Sequence, residues 1–198
     1  MSGDAVRGGR RTTSGTPEDD DAQLIGRIRA RDMRAFESLY RKYHPRLTRF
    51  LTNLIRRPQM VEEVLNDTLM VVWNKPESYN GQSRLSTWIF AIGYRKALKA
   101  LRRHQDPIED LHAEARQSGE PGPEQSLGQR QAQAALLAAM RDLSPDHRTV
   151  VDLTYFHEMG YREIAEIMEC PVDTVKTRMF YARRHLKQVL AGALSDWI

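Results

Sequence analysis

Lys176, Arg178, Arg183, Arg184 and Lys187 lie within the stretch Gly160 to Lys187, GYREIAEIMECPVDTVKTRMFYARRHLK, and cations gathered along one short segment can hold a polyanion. A second basic run, Arg84, Arg95, Lys96, Lys99, Arg102 and Arg103, falls between Ser78 and Gln105, a span without a single acidic residue. A basic helix with no acids forgoes the i,i+4 ion pairs that normally support a solvated face, so a polyanion explains it better. Tyr79, Trp88, Phe90 and Tyr94 lie among those charges, and aromatic faces beside cations suit unstacked bases. Trp88 could equally be core, or partly both. Catalytic sets are missing: there is no Ser/His/Asp constellation, no Gly-rich phosphate loop and no metal-spaced cluster, and the six histidines are scattered. No enzyme activity, cofactor or metal is expected from these residues.

The elements that must position the first group read as two short helices and a tight turn. Ile164, Ala165, Ile167 and Met168 have the spacing of one buried helical face, with Gly160 as N-cap. Glu169-Cys170-Pro171 breaks the pattern, because Pro cannot continue a helix but suits the start of one. From Val172 to about Leu190 a second helix carries Val175, Met179, Ala182 and Leu186 inward and the cations outward. Small Ala165 lets the two helices cross closely. A compact helix, a turn and a basic helix is the geometry that enters a DNA major groove. The plain alternative is a helical hairpin with a solvated basic face, and the TVKTR run, the turn chemistry and the small residue together favour DNA.

The chain has 198 residues, enough for one large or two small domains, and 30 Lys and Arg against 26 Asp and Glu, a net charge of +4. That balance permits nucleic-acid binding without demanding it; the distribution says more. Single Cys170 rules out an internal disulfide and a Cys-rich zinc site. No apolar run approaches the roughly 18 residues of a membrane span, and the N-terminus lacks a signal-peptide core, so a cytoplasmic protein with no membrane partner is expected.

Residues 1–21 read as a disordered tail ending in acids that can favour the next helix start. A first unit over 22–105 opens with Leu24, Ile25 and Ile28, then Phe36, Leu39, Tyr40 and Tyr43, with Asp32 as N-cap between two helices. Pro45 is expected in the first turn of a third helix carrying Leu47, Phe50, Leu51, Leu54 and Ile55, closed by Pro58. MVEEVLNDTLMVVWN follows, with Val61, Val64, Leu65, Leu69, Val72 and Trp73 inward and Glu62, Glu63, Asn66 and Asp67 outward. That acidic face could be solvated, could work as paired carboxylates, or could dock a basic partner. Lys75 to Ser86 is a loop by composition, and a helix follows it. Residues 106–129 form an acidic linker, rich in Gly and Pro. In the second unit, 130–198, Gln131 to Leu143 is helical, Ser144-Pro145 caps another helix, and Val150, Val151, Leu153, Tyr155 and Phe156 continue the core.

Two separated blocks in this order carry a family resemblance. AFESLYRKYHPRL, VEEVLNDTLMVVW and STWIFAIGYRKALKALRR resemble sigma domain 2, and LSPDHRTVVDLTYFHEMGYREIAEIMECPVDTVKTRMFYARRHLK resembles sigma domain 4. From about Ala35 to Leu190 the chain resembles a bacterial sigma factor of the extracytoplasmic-function group of the sigma-70 family. The resemblance implies an all-α fold of two small helical domains joined by a flexible acidic linker. It implies partners: core RNA polymerase, promoter DNA and an anti-sigma factor. Glu62, Glu63, Asn66 and Asp67 would dock on the polymerase coiled coil. Tyr79, Asn80, Ser83, Arg84, Trp88, Arg95, Lys99 and Arg102 would read and help melt the −10 element, a flipped base entering the loop from Asn80 to Arg84. Arg162, Thr174, Lys176, Thr177 and Arg178 would meet the −35 element, with Arg183 and Arg184 on phosphates. The linker would thread toward the RNA exit channel. The sequence departs from the family at Asn66 (often Gln), at Arg95 and Lys99 (commonly Asn and Asp), at Glu169 (usually Gly in the turn), and at Ile89, where housekeeping members have a second aromatic after the Trp. The −10 preference therefore does not carry over, and weaker melting is expected.

Two rival readings belong to other classes. A stand-alone helix-turn-helix repressor or activator would bind its operator tightly without polymerase, and a helical adaptor would meet acidic protein with its basic faces.

Overall fold

The computed structural model describes residues 17–103, 136 and 138–195. The linker expected at 106–129 lies outside the described residues, as does most of the first tail. Helices α1 (Pro17–Arg29), α2 (Met33–Ile55), α3 (Pro58–Asn74) and α4 (Leu85–Arg103) form the first unit, with a 3-10 turn at Pro76–Ser78. A helical stretch over 138–142 leads into α5 (Pro145–Tyr155), α6 (Tyr161–Ile167) and α7 (Val172–Ser195). No strand occurs among the described residues, so the fold is all-α.

Local chemistry sets most boundaries. Asp32 caps α2 by accepting from the N–H groups of Arg34 and Ala35, and Arg56 ends that helix in the left-handed region at φ 59°. Pro58 starts α3 and Pro145 starts α5, each at a first-turn position where its missing N–H costs nothing. Helix α1 starts at Pro17, inside the stretch read as a tail. The third helix expected from Pro45 does not exist separately: Pro45 sits within α2, which runs unbroken to Ile55. The reason is burial. Leu39, Tyr43, Leu47, Phe50 and Leu51 form one continuous inner stripe, at about 1.5–3 kcal/mol per buried large side chain, which outweighs the cost of one proline.

Helix α2 packs on α1, α3 and α4, and α3 packs on α4. The two units are not apart. Helix α2 also packs on α5, and α4 on α6, so one continuous core runs from Ile25 to Ala182. At this seam His157 inserts between Phe90 and Phe50, at centroid distances of 4.8 and 6.1 Å. Asp152 faces the His157 ring at 3.3 Å and accepts a 2.6 Å hydrogen bond from Asn53 of α2. Tyr155 and Phe156, expected in the core, stand 55% and 40% exposed, because α5 ends there and the chain turns away.

Candidate nucleic-acid interface

The basic face of α4 is built on a buried stripe. Leu85, Ile89, Ile92 and Ala97 lie inward, which leaves Arg95, Lys99 and Arg102 outward on one side, at spacings of four and three. Trp88 belongs to both surfaces: it is half-buried and its ring lies 5.3 Å from that of Tyr79. The preceding loop is ordered by its own polar groups. Tyr79 donates its hydroxyl to the Ser83 carbonyl at 2.6 Å, Asn80 accepts from the Gln82 N–H at 3.0 Å, and Gly81 takes φ 75°. Arg29 donates to the Tyr79 carbonyl from α1. Tyr79, Asn80, Ser83, Arg84 and Trp88 are thereby gathered around one loop, an aromatic pair with polar edges beside it.

On α3, Glu62, Glu63, Asn66 and Asp67 are all exposed on a single face, with Val61, Val64 and Leu65 buried behind them. Asp67 accepts a 3.0 Å hydrogen bond from Lys96 of α4, which ties the acidic face to the edge of the basic one.

The helix-turn-helix is α6 and α7. Glu163 accepts from the Gly160 N–H at 2.9 Å, so a carboxylate closes the start of α6 where glycine has no side chain to do so. Glu169 adopts φ 51° in the turn, and the Cys170 N–H reaches back to the Ala165 carbonyl at 3.0 Å. The turn is thus a left-handed C-cap that a glycine would take more easily, as the departure at that position implied.

The candidate −35 residues divide. Lys176, Thr177, Arg184 and Arg162 are exposed; Lys176 pairs with Asp173 at 2.9 Å and Thr177 hydrogen-bonds the Asp173 carbonyl. Arg183 holds the Tyr155 hydroxyl at 3.0 Å and lies over that ring. Arg178 turns inward instead: it ion-pairs with Asp146 at the start of α5, and its other nitrogen lies 3.6 Å from the Cys170 sulfur. Thr174 is half-buried. Sequence reasoning missed Phe180 and Tyr181, which stand 62% and 51% exposed among the cations. The signal was there, since both fall off the inner stripe of Val175, Met179 and Ala182. Phe180, Tyr161 and Met179 floor a shallow groove rimmed by Lys176, Arg184 and Lys187.

The arrangement can do two things chemically. It presents two cationic surfaces to polyanions, and one of them carries an aromatic loop able to stack a base. Among the described residues no cluster of three or more His, Cys, Asp or Glu is placed to hold a metal ion, and no helix is long and apolar enough to cross a membrane.

Comparisons with known proteins fall on the same two units. Residues 39–106 match the family described as Sigma-70 region 2, and residues 133–186 that described as Sigma-70, region 4. The chain is 26% identical to the RNA polymerase sigma-H factor of Pseudomonas aeruginosa over 189 residues, covering 90% of this chain and 98% of that one. It is 27% identical to the ECF RNA polymerase sigma-E factor of Haemophilus influenzae, covering 84% and 93%. The sigma factor RpoE in complex with the anti-sigma factor NepR from Bartonella quintana superposes with a TM-score of 0.60 at 26% identity, over 79% of this chain and 96% of that one. CnrH, solved with the cytosolic domain of CnrY, shares the fold at a TM-score of 0.64 and 21% identity, over 88% and 99%.

Proposed function

We infer that this chain, which belongs to the sigma-70 family and to its extracytoplasmic-function group of RNA polymerase sigma factors, is an alternative sigma factor that directs promoter-specific transcription initiation. One observation carries the reading: two cationic surfaces stand on two sigma-type units of one chain, so a promoter can be gripped at two places. Its partners are core RNA polymerase, promoter DNA and an anti-sigma factor. Sigma factors are not enzymes as a family, so the chemistry of RNA synthesis is left to the polymerase, and the cytoplasm is where this chain works.

The residue roles follow from charge and exposure. Glu62, Glu63, Asn66 and Asp67 dock on the polymerase, because an exposed acidic face on a rigid helix complements a basic partner and steers its approach. Tyr79, Asn80, Ser83, Arg84 and Trp88 receive a base flipped from the −10 element, while Arg95, Lys99 and Arg102 hold the strand backbone. Extrusion costs a few kcal/mol, which stacking on Tyr79 and Trp88 offsets. Arg162, Thr174, Lys176, Thr177 and Arg178 meet the −35 element and Arg183 and Arg184 its phosphates, which position without specifying. The Arg178–Asp146 pair supports a division of labour within that set, Lys176 and Thr177 reaching bases while Arg178 orients the helix. The units divide as residues 22–105 for the polymerase and −10 element and 130–198 for the −35 element, with 1–21 a tail and 106–129 a linker.

Transcription from a promoter library, by core polymerase with and without the purified chain, tests the reading. Initiation at a restricted promoter set only when the chain is present is the expected result. Tight operator binding by the chain alone, with no effect on polymerase, would remove it. Reversing charge at Glu63 and Asp67 to Lys should weaken polymerase binding at least tenfold, about 1.4 kcal/mol. Unchanged affinity would take the docking role from that face.

A further inference from the structure

We propose that α1 braces the loop assigned to the −10 element: Arg29 and Arg31 grip the carbonyls of Trp73, Pro76 and Tyr79 and so hold the loop in the shape that accepts a flipped base. Both arginines are positioning residues, acting through the loop and touching no DNA. The inference rests on the assignment of Tyr79, Asn80, Ser83, Arg84 and Trp88 to that element.

Three observations converge on the start of the loop. Arg29 donates through Nε to the Pro76 carbonyl at 3.4 Å and through Nη2 to the Tyr79 carbonyl, so one planar guanidinium spans the 3-10 turn. Arg31 donates to the Trp73 carbonyl at 2.9 Å, in the last turn of α3, where the unpaired carbonyls of a helix end favour a cation. Its guanidinium also lies 5.5 Å from the centre of the Trp73 ring. Arg31 makes these contacts at φ 62°, in the left-handed region where glycine is less strained. Glycine would serve the backbone better there, so what the arginine contributes is its side chain. Lastly, the brace is itself anchored. Ile25 and Ile28 of α1 are buried, and Asp32 both receives Arg27 at 2.7 Å and caps α2, which fixes the short connection carrying Arg31. Helix α1 precedes residues 39–106, the stretch that matches region 2.

The stacking pair comes from two elements, Tyr79 from the loop and Trp88 from α4, with ring centres 5.3 Å apart. The surface they form depends on where the Tyr79 backbone stands, and it is that backbone which Arg29 holds. The Tyr79–Ser83 and Asn80–Gln82 hydrogen bonds shape the loop from within; the arginines place it against α3 and α4. Placement matters because a base leaving the duplex is stabilised only by stacking and a few polar contacts, and any ordering of the loop at that moment subtracts from them. Exposed hydrogen bonds add little to global stability, since water replaces them when they break. Loss of the grip therefore loosens the loop and leaves the unit folded.

The test uses holoenzyme assembled from core polymerase and the full chain. Open-complex formation is measured for the parent, Arg29→Gln, Arg29→Lys and Arg31→Gly on a promoter fragment that the parent transcribes, and on copies with an abasic site at each −10 position in turn. The position whose loss most weakens the parent is the captured base. On the intact fragment Arg29→Gln and Arg31→Gly should each lower opening roughly tenfold. On the fragment abasic at the captured position both should match the parent, because no base is left for the loop to receive. A loss of equal size on both fragments overturns the proposal, since a residue that merely supports the fold acts whether or not the base is present. Arg31→Gly should melt no lower than the parent by circular dichroism, its backbone relieved of a left-handed arginine, and a lower midpoint would make Arg31 a support of the fold instead. Arg29→Lys keeps the charge without the fork that spans two carbonyls, so it should lose as much as Arg29→Gln. Full recovery by lysine would make Arg29 a phosphate contact and remove the brace. If no abasic position weakens the parent, the base-capture assignment itself fails, whereas a weakened parent with unimpaired variants removes only the brace.

Discussion

Arg148 is held on every side of its guanidinium by backbone carbonyls. It is 8% exposed and donates to the carbonyls of Met140, Arg141 and Leu143, and to that of Asn53 in α2. Its guanidinium therefore finishes the helical stretch over 138–142 and joins it to the first unit, while burial lowers its pKa to about 10. Arg148→Ala leaves several buried carbonyls without donors, and a loss of roughly 2–4 kcal/mol in urea denaturation is expected. Arg148→Lys should recover little of it, because an ammonium cannot spread donors over a planar fork. Asp32 gives the pH-dependent counterpart. The Arg27 hydrogen bond holds its carboxyl below the ordinary 3.8, against an opposing push from desolvation and with help from the Ala35 and Arg34 N–H groups. A folded-state value below the unfolded one means that stability is present above pH 3.8 and is lost as pH falls through the lowered value. The gap in thermal midpoint between the parent and Asp32→Asn should accordingly be full at pH 6 and close below pH 3.8. A gap that persists undiminished in acid would show the cap to act without its charge.

At the scale of elements, the periodicity of apolar residues carried almost all the information that was legible. The inner stripes of α3, α4 and α7, the caps at Asp32 and Ser144, and the helix-turn-helix could be read because each depends on neighbours within about four residues. Pro45 misled for the same reason. A proline is a local stop signal, but the continuous stripe of α2 and the packing of α3 and α4 against it are decided by residues far along the chain. Pro45 is exposed within that helix, so Pro45→Ala restores an intrahelical donor and removes no core contact. An increase in stability of about 1–3 kcal/mol is expected from chemical denaturation, and a decrease would mean that the proline shapes the helix for its neighbours. Tyr155 and Phe156 show the converse error: an apolar pair at the end of α5 looks like core until the direction of the following turn is known. The inward turn of Arg178 was equally hidden, since its partner Asp146 lies on another helix.

The least legible feature is the arrangement of the whole molecule. An acidic linker between two basic units suggests separation, whereas α5 and α6 pack on α2 and α4 through contacts that join residues some 70 to 100 positions apart, such as Asn53 with Asp152. No sequence period reports such a contact. It has a consequence for cooperativity, because units that share a buried core unfold together. Trp73 and Trp88 lie in the first unit and Trp197 in the second, so in a Trp197→Phe background tryptophan fluorescence reports the first unit while far-ultraviolet circular dichroism reports helices in both. In that background the two denaturation curves should coincide. Asp152→Ala removes the acceptor of half-buried Asn53 and the partner of buried His157, and the His157 ring left unpaired at the seam costs roughly 1–3 kcal/mol. Because that loss falls on the coupling between units and spares the core of either one, the dichroism transition should move to lower denaturant and separate from the fluorescence transition. If both curves shift together and still coincide, the seam is not what couples the units, and their joint stability must be sought in the packing of α4 against α6.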